Sequence, residues 1–231
     1  SGETIYTIAK LQQNKAQRIT AIVYMDGTVL TNEQAMAAAD LQGQLNIQFG
    51  SSAQLEAVRD PEARLRSLAA SAALMLALRD AGLQPEEAGL ALTAAGKPYL
   101  PAQPGIHISL SHSGGLAVCA AGDRPLGVDI ERPRTFRSSL LRRCFSEAER
   151  AAAEPLRLWV LKESFVKWTG EGLSALPGSI LRFEGDAVSA PGTAAVFWDT
   201  VLPGGYRLAL CGGGPDPLVP QLRTADRRDL G

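Results

Sequence analysis

The sequence predicts an α+β fold made of two similar halves, and three observations carry that reading. A long apolar helix followed by three strand candidates occurs twice along the chain, although no literal sequence repeat accompanies the pattern. The 231 residues, 45% hydrophobic and 20% charged, suffice for one large domain or two small halves with a real core. The loop at Asp123-Arg124-Pro125 separates the two series and divides the chain into residues 1–122 and 123–231. Each half is then a helix packed on a small, mostly antiparallel sheet. The cleft between the halves is the natural place for a ligand.

The elements follow in order. Residues 18–25, Asp26-Gly27 and residues 28–30 read as a hairpin with an Asp-Gly turn. Thr31 and Gln34 make a capping-box pattern opening a helix to about Leu41. Residues 42–59 are too weakly patterned for more than a loop and a short helix. Asp60-Pro61 supplies an N-cap and a first-turn proline. Leu65, Leu68, Ala72 and Leu76 form that helix's apolar stripe, and Gly82 stops it. Strands are expected at 89–93, 106–110 and 116–121. In the second half, 126–131 alternates as a strand ended by Arg132-Pro133-Arg134, and 136–144 is helical. Ser146 with Glu149 is a second capping box, and 156–169 is a helix stopped by Gly170. Strands at 180–184, 194–200 and 206–211 precede a Gly/Pro break, and 224–231 reads as a frayed polar end.

Composition narrows the function. Lys and Arg total 23 against 24 Asp and Glu, a net charge of −1, so no general basic coat for nucleic acid exists. The three cysteines, Cys119, Cys144 and Cys211, are odd in number and widely spaced, which disfavours a disulfide scaffold or a structural zinc site. Reduced thiols and an N-terminus without a signal-peptide pattern fit a cytoplasmic protein. The most apolar run, 68–78, is only 11 residues between Arg66 and Arg79, a core helix and not a membrane span.

Four segments carry chemistry. In GVDIE, Asp129 and Glu131 are two apart on a strand and share one face, while Val128 and Ile130 turn to the core. Two such carboxylates repel unless a cation lies between them, and Mg²⁺ takes hard oxygen ligands of this kind. Two solvated acids on a half-exposed strand is the plainer alternative. In WVLKESFVK, Trp159, Glu163 and Lys167 form one helical row, flanked by Lys162 and Val166. An ordinary surface ion pair would have the same spacing, but the Trp ring argues that the row is partly buried. ISLSHSGG ends a strand in Ser111-His112-Ser113, where hydroxyls, an imidazole and a glycine turn could cradle an anion. A serine nucleophile is disfavoured there, since both serines adjoin His112 and no GxSxG elbow exists. His107, alternating with Ile106 and Ile108, reads as structural. In GKP, Lys97 sits in a rigid turn that suits a phosphate contact, or is simply solvated.

Taken together and in order, GKPYLP, ISLSHSGG, PLGVDIE, RCFSEAE and LWVLKESFVKWTGEGL resemble the 4′-phosphopantetheinyl transferases of the surfactin-synthetase-activating type, from about Arg66 to Leu176. The resemblance implies a pseudo-twofold pair of α+β halves with coenzyme A between them. It implies transfer of phosphopantetheine to a serine of an acyl or peptidyl carrier protein, with release of 3′,5′-ADP. Asp129, Glu131 and Glu163 then correspond to Mg²⁺ ligands, with Glu163 also the candidate base for the carrier serine. Lys167 would lie against the pyrophosphate, Ser111 and His112 would hold nucleotide phosphates, Lys97 the 3′-phosphate, and Arg66 the nucleotide. Lys162 and Glu149 match further motif positions, Lys162 being grouped with the coenzyme A contacts. The family's basic N-terminal segment has no counterpart, since residues 1–58 hold only Lys10, Lys15 and Arg18 as bases. Arg59, Arg64 and Arg66 are left for that work.

The carrier is expected to dock on 132–143, where Arg132, Arg134, Arg137, Arg142 and Arg143 stand with no acid among them. Phe136, Leu140 and Leu141 would add apolar contacts. Both halves of the cleft come from one chain, so a monomer is expected. Two other readings use the same residues: an Mg²⁺-dependent phosphohydrolase with water as nucleophile, and a non-catalytic binder of coenzyme A or carrier.

Overall fold

The computed structural model describes residues 6–8, 19–25, 61–83 and 89–224. The turn at Asp26-Gly27, the helix expected from Thr31, the loop 42–59 and the end 225–231 lie outside the described residues. The elements are β1 (Tyr6–Ile8), β2 (Ile19–Met25), α1 (Pro61–Asp80), β3 (Ala91–Leu92), β4 (Pro98–Tyr99), β5 (His107–Ser113), β6 (Leu116–Gly122) and β7 (Leu126–Glu131), then α2 (Ser138–Cys144), α3 (Glu147–Ala152), α4 (Pro155–Thr169), β8 (Arg182–Glu184), β9 (Ala187–Ser189), β10 (Ala195–Leu202), β11 (Tyr206–Gly213) and β12 (Gln221–Thr224).

One sheet has the order β1-β12-β2-β6-β5 and a second β10-β11-β7, with β3–β4 and β8–β9 as separate ribbons. Among the described strands every ladder is antiparallel except β12 on β2. The last strand therefore lies in the sheet of the first half.

Strand alternation builds the interior. Residues 72–78 of α1 are all buried, as expected of a helix apolar on every side. They pack on Ile108 of β5 and on Ala117, Cys119 and Ala121 of β6. The other face of β6, Leu116, Val118 and Ala120, meets Leu126, Val128 and Ile130 of β7 and Leu208 and Leu210 of β11. Behind them Ala209 and Cys211 of β11 pack on Leu158, Leu161 and Phe165 of α4. All three cysteines are free and buried.

Local signals set the helix ends. Gly82, at φ 76°, closes α1, with the Leu83 amide donating to the Leu78 carbonyl at 2.9 Å. Ser146 and Glu149 make the expected capping box on α3: the Ser146 Oγ accepts from the Glu149 amide and the Glu149 carboxylate from the Ser146 amide. Gly170 ends α4 at φ 79°.

Several strands differ from expectation. The first-half strand expected at 106–110 starts at His107 and runs on to Ser113, because its antiparallel ladder with β6 continues to Ser113 opposite Leu116. The one expected at 89–93 shrinks to Ala91–Leu92. The strand expected at 180–184 starts at Arg182, since the Leu181 amide donates to Glu149 Oε1 at 2.9 Å.

Candidate active site

The site forms where β7 lies against α4. That approach depends on Gly127: a Cβ there would collide with the Ser164 carbonyl oxygen and the Trp168 amide. With Val128 and Ile130 committed to the core, Asp129 and Glu131 take the opposite parity, facing α4, where the row Trp159–Glu163–Lys167 passes.

Asp129 is 2% exposed. Its Oδ1 accepts from Ser111 Oγ at 2.6 Å and from the Lys167 ammonium at 2.7 Å, while its buried Oδ2 has no hydrogen-bond partner. Glu163 Oε2 lies 3.8 Å from the same ammonium. Burial and the Asp129 charge push the Glu163 carboxyl up to about 8, against the pull of Lys167. Glu131 accepts from Ser113 Oγ at 2.5 Å on Oε2 and from Arg134 at 2.9 Å on Oε1, and burial raises its proton affinity too. Arg134 stacks its guanidinium over Phe136 and Trp159, with 4.6 and 4.9 Å to the ring centroids. Three carboxyl groups thus converge where Lys167 is the ammonium between Asp129 and Glu163. Among the described residues no three His, Cys, Asp or Glu side chains are drawn together as a ready metal cage.

The other candidates are placed apart or given other partners. Lys97 donates to the Trp168 carbonyl at 3.0 Å and the Leu126 carbonyl at 3.3 Å, so it ties the end of α4 to the start of β7. Burial lowers its proton affinity, and burial likewise lowers that of His107, with help from Lys97. Ser111 is buried in the Asp129 network, whereas His112 is exposed beside it. Arg66 lies on α1, its side chain outside the described residues. Lys162, grouped in sequence with the ligand contacts, is 1% exposed. Its ammonium sits 3.0 Å from Glu149, donates to the Cys144 carbonyl at 2.6 Å and lies over the Phe145 ring. With Glu149 also capping α3 and holding Leu181, this pair braces the helices.

On the segment 132–143, Arg132, Arg134, Arg137, Arg142 and Arg143 are exposed. Leu140 and Leu141, read as partner contacts, are half-buried against the protein's own third core, and Phe136 packs on Trp159 with centroids 5.5 Å apart and the rings tilted by 38°. Sequence reasoning gave no role to Ser109 or Tyr206, and it read Ser113 as part of an anion cradle, whereas the Ser113 hydroxyl is bonded to Glu131 and to the Arg132 amide. The Tyr206 hydroxyl accepts from the Gly115 amide at 3.2 Å and pins the β5–β6 turn. The period-two run Ser109, Ser111, Ser113 was the available signal for the serines.

Comparison with known proteins places this geometry. The description "4′-phosphopantetheinyl transferase superfamily" matches residues 125–211, which include β7 and α4. A 4′-phosphopantetheinyl transferase of Bacillus subtilis is 35% identical over 151 residues, 58% of this chain and 67% of the relative. The 4′-phosphopantetheinyl transferase Sfp of Bacillus subtilis strain 168 is 31% identical over 137 residues, 52% of this chain and 61% of the relative. HetI, a 4′-phosphopantetheinyl transferase of Nostoc, is 33% identical over 111 residues, 41% of this chain and 47% of the relative. With 35% identity across 67% of one such enzyme and the family description matching the strand and helix that carry Asp129, Glu131 and Glu163, the chain belongs to the 4′-phosphopantetheinyl transferase superfamily.

Proposed function

We propose that the chain transfers the 4′-phosphopantetheine arm of coenzyme A to a serine of an acyl or peptidyl carrier protein, depends on Mg²⁺ and releases 3′,5′-ADP. The observation that carries this reading is that Asp129 and Glu163 share the Lys167 ammonium, with Glu131 two residues along the same strand face, all within the segment that matches the family.

The residues fit a hard divalent cation. Asp129 Oδ2 is buried with no protein donor, and two neighbouring carboxyls are pushed toward protonation by burial and mutual charge. Crowded, under-neutralised oxygens of this kind are what Mg²⁺ binding satisfies. Asp129, Glu131 and Glu163 would hold it, and when bound it supplies charge neutralisation on the phosphoryl oxygens.

The chain's own groups do the rest. The carrier serine Oγ attacks the phosphorus that bears the pantetheine arm, the bond from that phosphorus to the bridging oxygen breaks, and 3′,5′-ADP leaves. Glu163 would take the serine proton from its ionised form, which a cation held among these carboxylates favours over the protonated one. Lys167 lies against the pyrophosphate and offsets charge on the leaving oxygen. His112, Arg66 and the remaining N–H of Lys97 meet the nucleotide phosphates; Ser111 does so through Lys167, to which it is bonded at 3.0 Å. Arg137, Arg142 and Arg143 draw in an acidic carrier surface. The protein acts as a cytoplasmic monomer, with coenzyme A between its two halves.

The test is to incubate the protein with coenzyme A, Mg²⁺ and an apo carrier protein and to weigh the carrier by mass spectrometry. A gain equal to the phosphopantetheine arm, lost in Glu163→Gln, is expected. Hydrolysed coenzyme A with an unmodified carrier would make the chain a phosphohydrolase, and binding without turnover would make it a non-catalytic binder.

A further inference from the structure

The two sheets meet along a seam made by side-chain hydroxyls. β7 is the edge strand of its sheet, so its outward N–H groups have no backbone partner. Three of them donate to serines of β5: Val128 to Ser109 at 3.0 Å, Ile130 to Ser111 at 3.3 Å and Arg132 to Ser113 at 3.1 Å. The constant offset means β5 and β7 run parallel, one serine per two residues.

Each hydroxyl owns one proton and two lone pairs. A backbone N–H can only donate, so it must be met by a serine lone pair. The serine proton is then directed elsewhere. From Ser111 it goes to Asp129 Oδ1, and from Ser113 to Glu131 Oε2. Ser109 makes the same backbone bridge, but the β7 residue in the equivalent place is Gly127, which offers no carboxylate.

We propose that Ser113, with Ser111 beside it, is a positioning residue: the seam that joins the sheets also fixes the orientation of Glu131 and Asp129 toward a divalent cation. The inference rests on the carboxylate reading given above. Glu131 keeps Arg134 on its other oxygen when the Ser113 hydroxyl is removed, so the strand retains a partner for its charge. What is lost is the second point of attachment, and with it a single defined carboxylate orientation.

Ser109 supplies the internal control, because it reports the seam without the carboxylate. Mg²⁺ binding to the free protein, read by titration calorimetry, and carrier modification at varied Mg²⁺ should be measured for the parent, Ser109→Ala, Ser113→Ala, the isosteric Ser113→Cys and the hydroxyl-retaining Ser113→Thr. Removing an outer partner of a metal ligand commonly weakens affinity about tenfold or more. Ser113→Ala and Ser113→Cys should raise the half-saturating Mg²⁺ about tenfold in both measurements, with kcat at saturating Mg²⁺ within about twofold of the parent. Ser113→Thr should restore the parent titration. Ser109→Ala should lower the melting temperature but leave the Mg²⁺ titration unmoved. An unchanged titration in the Ser113 variants, or an equal shift in Ser109→Ala, overturns the proposal while the site reading stands. A parent that binds no Mg²⁺ overturns the site reading itself.

Discussion

Glu163 sits in an environment far from that of a solvated carboxylate. In the folded chain burial and Asp129 hold its proton to about pH 8, whereas a glutamate in an unfolded chain releases it near 4.3. The folded state therefore binds this proton more tightly. Its contribution to stability is fully present below about pH 4 and is lost as pH rises through about 8. Glu163→Gln, neutral at every pH, removes that loss. In chelator-treated protein the variant should melt a few degrees above the parent at about pH 8.5 and lose that advantage by about pH 4, by calorimetry at both values. At this scale the sequence was partly legible. Period-two alternation put Asp129 and Glu131 on one face, and helical spacing put Glu163 beside Lys167. It could not reveal that Lys97 would find the Leu126 and Trp168 carbonyls, 29 and 71 residues away, or that Lys162 would be enclosed with Glu149. A lysine's partner is a fact of the folded chain, and short-range pattern carries no record of it.

At the level of elements, the decisive contact is β7 on α4 through Gly127. Gly127→Ala puts a methyl group into the backbone of α4 and forces helix and strand apart. A loss of about 2–3 kcal/mol in denaturant unfolding is expected, together with a larger proportional loss of carrier modification, because Lys167 and Glu163 move away from Asp129. A variant as stable and active as the parent would show that the helix can shift freely. The helix ends were legible because capping is local chemistry, as at Ser146, Glu149 and Gly170. β12 was not read, because four residues between Pro220 and the chain's polar end become a strand only by pairing with β1 and β2. β9 and β4 fall below the length at which alternation is a signal.

For the whole molecule, buried charge such as Lys162–Glu149 braces the helices, while most of the arginines at 132–143 stand on the surface. In a chain of net charge −1, the exposed arginines at 132–143 form a local positive patch beside the carboxylate site. The role proposed for them is long-range attraction of a carrier, which is screened over ~8–10 Å at physiological salt. Reversing Arg137 and Arg142 together to Glu should raise the apparent KM for an acidic carrier several-fold at low salt, flatten its salt dependence and leave coenzyme A affinity within about twofold. Equal carrier modification by variant and parent at low salt would move docking elsewhere. The sequence predicted two helices each backed by strands, and the described residues have that layering. What it did not predict is the serine seam, whose partners are backbone amides 19 residues on.

The burial of every cysteine has a practical side. Burial pushes the Cys119 and Cys211 thiols up, away from the reactive thiolate, and Cys144, the last residue of α2, is buried in the core against α4. A thiol-seeking maleimide added to the folded protein finds no accessible sulfur on the chain. In a mixture with coenzyme A it reads out the pantetheine sulfhydryl alone, so fluorescent tagging can follow the arm from donor to acceptor without background from the catalyst.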